Sequence, residues 1–207
     1  GSFALATNPT TLFSGTPGTT YVLQWTISNG VVCSPSTDQV TIKLDANPLP
    51  AAAAGTDQTL CSTSATLAGN APTTGIGTWT VVSGASGSCV NANSPTTVFN
   101  GVSGTIYVLR WTISNGVCTS TNDDVQIIFN TPPTVATAGA DQTLCSTSAT
   151  LAGNTPATGT GQWTIVSGAG GSFVNANSPT TVFNGVAGTT YDLQWTISSG
   201  VCAPSSD

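Results

Sequence analysis

Short stretches of alternating apolar and polar residues recur along the whole chain. In residues 107–114 (YVLRWTIS) every second side chain is a large apolar one. This period of two is typical of a β-strand with one buried face. Asn115-Gly116 follows directly and predicts a hairpin turn, so residues 124–129 (DVQIIF) would form the returning strand.

Further stretches of this kind lie at 64–69, 78–82 and 98–99. Glycine, proline, asparagine and serine separate them at intervals of roughly 8–12 residues, a spacing typical of a β-sandwich. No stretch shows the period of a helix. We therefore predict an all-β fold of Ig-like β-sandwich domains with about seven short strands each.

A long internal repeat divides the chain. Residues 55–118 match residues 139–202 without a gap at an offset of 84, and 51 of these 64 aligned positions are identical. Residues 1–46 match only the second half of this unit. The repeat predicts three parts: the C-terminal half of a repeat at 1–46 (the N-terminal segment), a complete repeat at 47–130 (the central repeat), and a repeat without its last strand at 131–207 (the C-terminal repeat).

The ends and the linkers of these parts suggest an extended array. Both ends of the sequence fall inside repeats, so we expect a section of a longer tandem array. The linkers at 47–54 (NPLPAAAA) and 130–138 (NTPPTVATA) are rich in proline and alanine. Since proline restricts the backbone and stiffens a linker, we expect the repeats to form an extended rod.

The repeated strings themselves resemble a known family. The strings DQTLCSTSATLAGN and NSPTTVFNG, with the Tyr-x-Leu-x-Trp strand that begins at Tyr21, Tyr107 and Tyr191, resemble the PKD-like, Ig-like repeats of Bacteroidota cell-surface proteins, in particular those of SprB-type gliding adhesins. TVVSG follows Trp79 where PKD domains have their WxFGDG turn. The resemblance implies secretion to the cell surface and a role as a spacer, adhesin or filament.

Composition and charge exclude several classes of partner. Hydrophobic residues make up 39% of the chain and charged residues only 5%, with a net charge of −6 and Lys43 and Arg110 as the only bases. Two bases cannot neutralise a nucleic-acid backbone, and the same reasoning excludes an anionic membrane surface. No apolar stretch approaches the ~20 residues that span a bilayer, so we expect no membrane insertion.

The residue types needed for most enzyme chemistry are missing. The chain has neither His nor Glu, so no Ser/His/Asp or Cys/His arrangement can form and acid–base chemistry would depend on Asp alone. We therefore predict that the protein is not an enzyme and that it has no cofactor.

The six cysteines follow the repeat. Cys61 and Cys118 recur in phase as Cys145 and Cys202, and Cys33 aligns with the second cysteine of each pair. We predict the disulfides Cys61–Cys118 and Cys145–Cys202. Each would close a loop with a sequence separation of 57, which stabilises by about 4 kcal/mol on a loop-entropy estimate. The partner of Cys33 would lie before residue 1. Such bonds predict an oxidising, extracellular location.

Two weaker candidates remain open. Cys89, where Phe3 and Phe173 occupy the equivalent positions, could form an intermolecular cross-link or act as a reactive thiol, although we favour a small inward-facing hydrophobe. Oxygen ligands near the junctions could hold calcium, but we favour ordinary turn and strand-edge carboxylates. Those carboxylates are Asp57, Asp123, Asp124 and Asp141. Without His or CxxC pairs, we predict no zinc site.

These observations favour a structural extracellular segment of a large surface stalk, filament or adhesin. Its partners would be neighbouring repeats of the same chain and other copies of the chain in a fibre. The alternatives are repeated modules that bind glycans or surfaces, in which many weak sites would act together, and accessory modules of a secreted hydrolase.

Overall fold

β-Strands and loops form the described part of the chain, residues 1–30 and 32–207, in this computed structural model. No helix occurs among these residues, and therefore none that could cross a membrane. The predicted all-β fold is confirmed. The strands form several separate sheets.

The strands follow the sequence repeat. Those of the N-terminal segment are β1 (Ser2–Phe3), β2 (Phe13–Ser14), β3 (Thr19–Ile27) and β4 (Ser36–Leu44). Those of the central repeat are β5 (Gln58–Leu60), β6 (Ser64–Thr66), β7 (Ile76–Ser83), β8 (Ser88–Cys89), β9 (Val98–Asn100), β10 (Ile106–Ser114) and β11 (Thr121–Phe129). Those of the C-terminal repeat are β12 (Ser148–Thr150), β13 (Thr160–Ser167), β14 (Ser172–Phe173), β15 (Val182–Asn184), β16 (Asp192–Ser198) and β17 (Ser205–Ser206).

Two sheets build the central repeat. One has the strand order β5-β11-β10-β7 and the other β6-β9-β8. β10 is antiparallel to β11 and β7, and its Trp111 lies opposite Trp79. β5 runs parallel to β11, so that Leu60 lies opposite Phe129. This parallel pairing sets which ends of the repeat its cysteines occupy.

A single core joins these two sheets in a sandwich-like arrangement. The alternate side chains of β10 that the sequence placed on one face, namely Tyr107, Leu109, Trp111 and Ile113, are all fully buried. Phe99 of the other sheet packs edge-on against Tyr107, with ring centroids 4.9 Å apart. Burial of such large aromatic side chains supplies much of the hydrophobic stabilisation of a small unit.

Polar atoms on the core aromatics are satisfied from loops. Trp79 Nε1 donates to the Pro95 carbonyl oxygen at 3.2 Å, and Trp111 Nε1 donates to the Asn70 carbonyl oxygen at 3.1 Å. The Tyr107 hydroxyl donates to the carbonyl oxygen of Ala85 at 2.8 Å. These bonds remove the desolvation cost of burying the indole and phenol groups.

The C-terminal repeat has its own core of the same kind. Trp163 and Trp195 lie with ring centroids 5.2 Å apart, as Trp79 and Trp111 do at 5.0 Å. Its buried cluster also contains Leu151, Phe183 and Ile197, together with Ala136.

In the N-terminal segment the last two long strands pair as they do in the complete repeat, but the apolar face of the first of them is not buried. β3 and β4 pair antiparallel over their full length. Trp25 and Ile27, the counterparts of the fully buried Trp111 and Ile113, are 38% and 62% exposed. This segment aligns only with Gly87 onward, so it has no counterparts of β5, β6 and β7, and none of Trp79, which packs against Trp111.

Candidate functional site: the junctions between repeats

A disulfide crosses from one repeat to the next. Cys61 of the central repeat is bonded to Cys202 of the C-terminal repeat, with their Cα atoms 4.9 Å apart. Cys118 and Cys145 are free. The predicted pairs Cys61–Cys118 and Cys145–Cys202 are therefore wrong, although two of the four predicted residues do form a disulfide.

Strand direction explains why the pairing within the central repeat fails. Cys61 follows Leu60, which lies opposite Phe129 at the C-terminal end of β11. Cys118 lies three positions before Thr121, where β11 begins. A nine-residue strand spans roughly 30 Å, whereas bonded cysteines need Cα atoms within about 7 Å. The two cysteines are therefore at opposite ends of the repeat.

Contacts at the end of the central repeat bring Cys202 to Cys61. The loop 199–204 between β16 and β17 lies against this end: Ser199 Oγ donates at 2.8 Å to the carbonyl oxygen of Thr131, the residue directly after the central repeat. Cys202 Sγ lies 3.8 Å from the Asn130 carbonyl oxygen. Asn130 in turn donates its backbone N–H to the Leu60 carbonyl oxygen at 2.8 Å, which places Asn130 beside Cys61.

The preceding junction uses the equivalent residues. Asn115, 84 positions before Ser199, donates from Nδ2 to the Ala46 carbonyl oxygen at 2.8 Å. The backbone N–H of Val117 donates to Asp45 Oδ2 at 3.2 Å. At both junctions, therefore, a hairpin loop of one unit is hydrogen-bonded to residues at the boundary with the unit before it, Asp45 and Ala46 at the first junction and Thr131 at the second.

Each of these loops contains a glycine that permits the close approach. Gly116 and Gly200 have φ values of +57° and +52°, in the left-handed region that favours glycine. A β-carbon at Gly116 would collide with the Asp45 carboxylate, and one at Gly200 would collide with the Asn130 side chain. The same glycine thus serves both the hairpin turn and the junction.

A charge pair accompanies the first junction. Lys43 Nζ lies 2.7 Å from Asp45 Oδ1, and the Asp45 side chain is only 9% exposed. The hydrogen bond from Lys43 and the second one from the Val117 N–H lower the pKa of Asp45 below its usual value of 3.8. The same bond to Asp45 raises the pKa of Lys43. The carboxylate is therefore held in its charged form at the junction.

The linker before each repeat runs along that repeat's last strand. The backbone N–H of Ala54 donates to Asp123 Oδ2 at 2.8 Å, and that of Ala138 donates to Asp207 Oδ2 at the same distance. The two contacts are equivalent at the offset of 84. Each repeat therefore holds its own linker by a carboxylate.

Most of the carboxylates considered for calcium already accept hydrogen bonds. Asp57 Oδ1 accepts from the Gln126 N–H at 2.8 Å, and Asp123 accepts from Ala54. Asp124 forms a two-pronged pair with Arg110 at 2.8 and 2.9 Å, which lowers the pKa of Asp124. Within residues 1–30 and 32–207, no group of three or more Cys, Asp or other metal-ligating side chains comes together.

The remaining cysteines differ in their surroundings. Cys33 and Cys145 are exposed and Cys118 is half-buried. Cys89 is also half-buried and packs against the central core, and burial raises the pKa of its thiol. These surroundings fit the interpretation of Cys89 as a small hydrophobe at a position where Phe173 packs in the next repeat.

The sequence did not predict the disulfide at the junction, because two different cysteine pairings give the same spacing of cysteines along the chain. A bond within each repeat and a bond from each repeat to the next both place cysteines at the same phase of an 84-residue period. Only the direction of β5 relative to β11 separates them.

No protein-family model matches the chain, and no curated protein matches it.

Proposed function

We propose that the chain is a structural extracellular segment, a run of tandem Ig-like (PKD-like) domains in the rod of a surface stalk, filament or adhesin. The observation that carries this proposal is the Cys61–Cys202 bond between successive repeats. Units that bind or react independently gain nothing from a covalent bond to their neighbour. A unit that must hold its neighbour in one orientation does gain from such a bond.

The recurrence of the junction contacts supports a rod. Asn115 and Ser199 each contact the boundary with the unit before them, at Ala46 and Thr131. When every unit contacts the next through equivalent residues, the same rotation and translation relates each pair of neighbours. Repeating that relation along the chain builds an extended solenoid or rod.

The chemistry of the surface and of the cysteines supports an extracellular location. A disulfide persists in an oxidising environment and is rare in the cytosol. The chain carries only 5% charged residues, so its solubility depends on hydroxyl and amide groups. Such a surface offers few groups for charge-based recognition, which suits an inert spacer.

Small-angle X-ray scattering of the oxidised 207-residue chain tests this proposal. A compact protein of this length has a radius of gyration of ~17 Å. Two and a half units in a row, each at least as long as a nine-residue strand, form a rod of at least ~75 Å, which would give a radius of gyration of ~22 Å or more. A value close to that of the compact protein would contradict the rod.

A glycan array separates the structural role from adhesion. A purely structural segment should show no binding that depends on its repeats. Tight binding that rises with the number of repeats would contradict a purely structural role and support repeated glycan-binding modules.

A further inference from the structure

Two of the four free cysteines, Cys118 and Cys145, occupy the same positions in complete repeats as the two bonded ones. Cys118 lies 84 positions before Cys202, and Cys145 lies 84 positions after Cys61. The bonded pair joins the first cysteine of one repeat to the second cysteine of the next. Cys118 is thus a second cysteine and Cys145 a first cysteine, and the cysteine that would pair with each of them would lie outside residues 1–207.

Cys118 also has the local geometry of the bonded Cys202. Its loop contacts the end of the N-terminal segment through Asn115 and Val117, as the loop of Cys202 contacts the end of the central repeat. The first half of the repeat that ends with the N-terminal segment would supply, before residue 1, a counterpart of Cys61 next to Cys118. A further unit after residue 207 would supply a counterpart of Cys202 next to Cys145.

We propose that Cys118 and Cys145 are half-sites of a disulfide that recurs at every junction, from the first cysteine of each repeat to the second cysteine of the next. Each bond forms when two thiols lose two protons and two electrons. A disulfide oxidant such as oxidised glutathione accepts them and is reduced to two thiols. No other bond of the chain changes.

This pattern would limit the extension of the array to a small fraction of what the unbonded chain allows. The covalent path under tension enters at Cys118, follows the chain for 27 residues to Cys145, and then crosses the next disulfide. Each disulfide bypasses a sequence separation of 141 residues. One such path advances two repeats with 27 residues of extended chain, which is roughly 50 Å per repeat once the disulfide is included.

Without the bonds, a fully unfolded 84-residue repeat could extend to about 290 Å. The bonded limit of roughly 50 Å per repeat is less than twice the roughly 30 Å that the long strands of a folded unit span. A second, equivalent path starts at Cys61 and runs in parallel. Unfolding of single repeats would therefore lengthen the array far less than it would without the bonds. The inference rests on the proposed function for the load that the array carries, whereas the bond pattern does not depend on it.

Force spectroscopy on the chain, held at Gly1 and Asp207, tests the load path. With the Cys61–Cys202 bond intact, 67 residues lie in the path, a contour of about 240 Å. Reduction, or the variant Cys61→Ser, should lengthen this to about 745 Å, a threefold increase. The control variant Cys118→Ser should leave the oxidised contour unchanged. A contour of about 340 Å that lengthens in Cys118→Ser would mean bonds within repeats and would overturn the proposal.

A longer chain tests the recurrence. One extra copy of residues 47–130, inserted after Asn130, adds one junction between complete repeats. Oxidised with glutathione and mapped by mass spectrometry without reduction, this chain should contain two disulfides. Cys61 should be bonded to the inserted copy of Cys118, and the inserted copy of Cys61 to Cys202. A single disulfide, or a bond within one copy, would overturn the recurrence.

The two proposals can fail separately. A compact scattering profile from a chain with both expected disulfides would contradict the rod and leave the disulfide pattern intact. An elongated profile from a chain with bonds inside each repeat would support the rod and contradict the disulfide pattern.

Discussion

The side-chain amide of Asn115 donates a hydrogen bond to the backbone carbonyl oxygen of Ala46, 69 positions earlier in the chain, at a distance of 2.8 Å. The donor lies in the turn of a hairpin and the acceptor at the end of the preceding unit. In the next repeat Ser199 takes the place of Asn115 and donates to Thr131 instead. The turn that the sequence marks as Asn-Gly is thus also a point of contact between units.

Asn115→Ala should weaken the contact between the N-terminal segment and the central repeat without weakening the central core. Loss of one partly buried hydrogen bond costs about 1 kcal/mol. Hydrogen exchange should rise at residues 44–47 and stay unchanged at β10. Asn115→Ser, which copies the residue at position 199, should retain more protection than the alanine variant. Equal exchange in all three proteins would refute this role of Asn115.

Gly200→Ala should disrupt the second junction more than its backbone strain explains. Gly188 has a similar positive φ of +76°, but a β-carbon there meets nothing within 4 Å. Gly188→Ala therefore measures the strain alone, about 1 kcal/mol, whereas Gly200→Ala adds the collision with Asn130. We expect a slower closure of the Cys61–Cys202 bond in Gly200→Ala only, measured by the loss of free thiols during oxidative refolding. Equal rates in the two variants would argue against a tight junction.

Cys61→Ser should lower the free energy of unfolding of the oxidised protein. The bond closes a loop with a sequence separation of 141, and loop entropy for such a length gives an upper figure of about 5 kcal/mol. We expect a loss of roughly 2–5 kcal/mol in urea titrations. The control Cys145→Ser removes a free thiol and should change the stability by less than ~0.5 kcal/mol. The same loss in both variants would contradict the bond.

Trp111→Ala and Trp25→Ala compare one repeat position in two environments. Trp111 is fully buried, whereas Trp25 is 38% exposed. The first change should destabilise the central repeat by about 3–5 kcal/mol, because it removes a core indole and leaves a cavity. The second should cost much less. Thermal unfolding followed by near-ultraviolet circular dichroism measures both, and similar losses would show that the N-terminal segment has a covered core.

Acid should loosen the first junction through Asp45. The folded-state pKa of Asp45 lies below its usual value of 3.8 because its carboxylate accepts hydrogen bonds from Lys43 and the Val117 N–H. The stabilisation is therefore fully present above pH 3.8 and is lost as the pH falls through the lowered folded-state pKa. An NMR titration of the Val117 amide should show this loss in the native protein. Asp45→Asn should remove the acid step, and an unchanged titration in that variant would refute it.

The local pattern of apolar and polar residues was sufficient to predict the strands and their buried faces. The alternation in 107–114 correctly placed Tyr107, Leu109, Trp111 and Ile113 on one face, and all four are fully buried. Period and polarity are properties of neighbouring residues, so a single strand reveals them. The domain boundaries at residues 47 and 131 remain predictions of the same kind, since they depend on the repeat and on linker composition.

From the sequence alone follow an all-β chain, its 84-residue period and the phase of its cysteines, because each depends on residues close in sequence or on the comparison of one unit with another. The partner of Cys61 required the fold. The positions of the cysteines within the 84-residue period are the same whether the bonds lie within repeats or between them. The structure decides between the two, because β5 runs parallel to β11 and so Cys61 lies at one end of the unit and Cys118 at the other. A bond only a few ångströms long cannot cross a nine-residue strand, so Cys61 pairs with the repeat that abuts its own end.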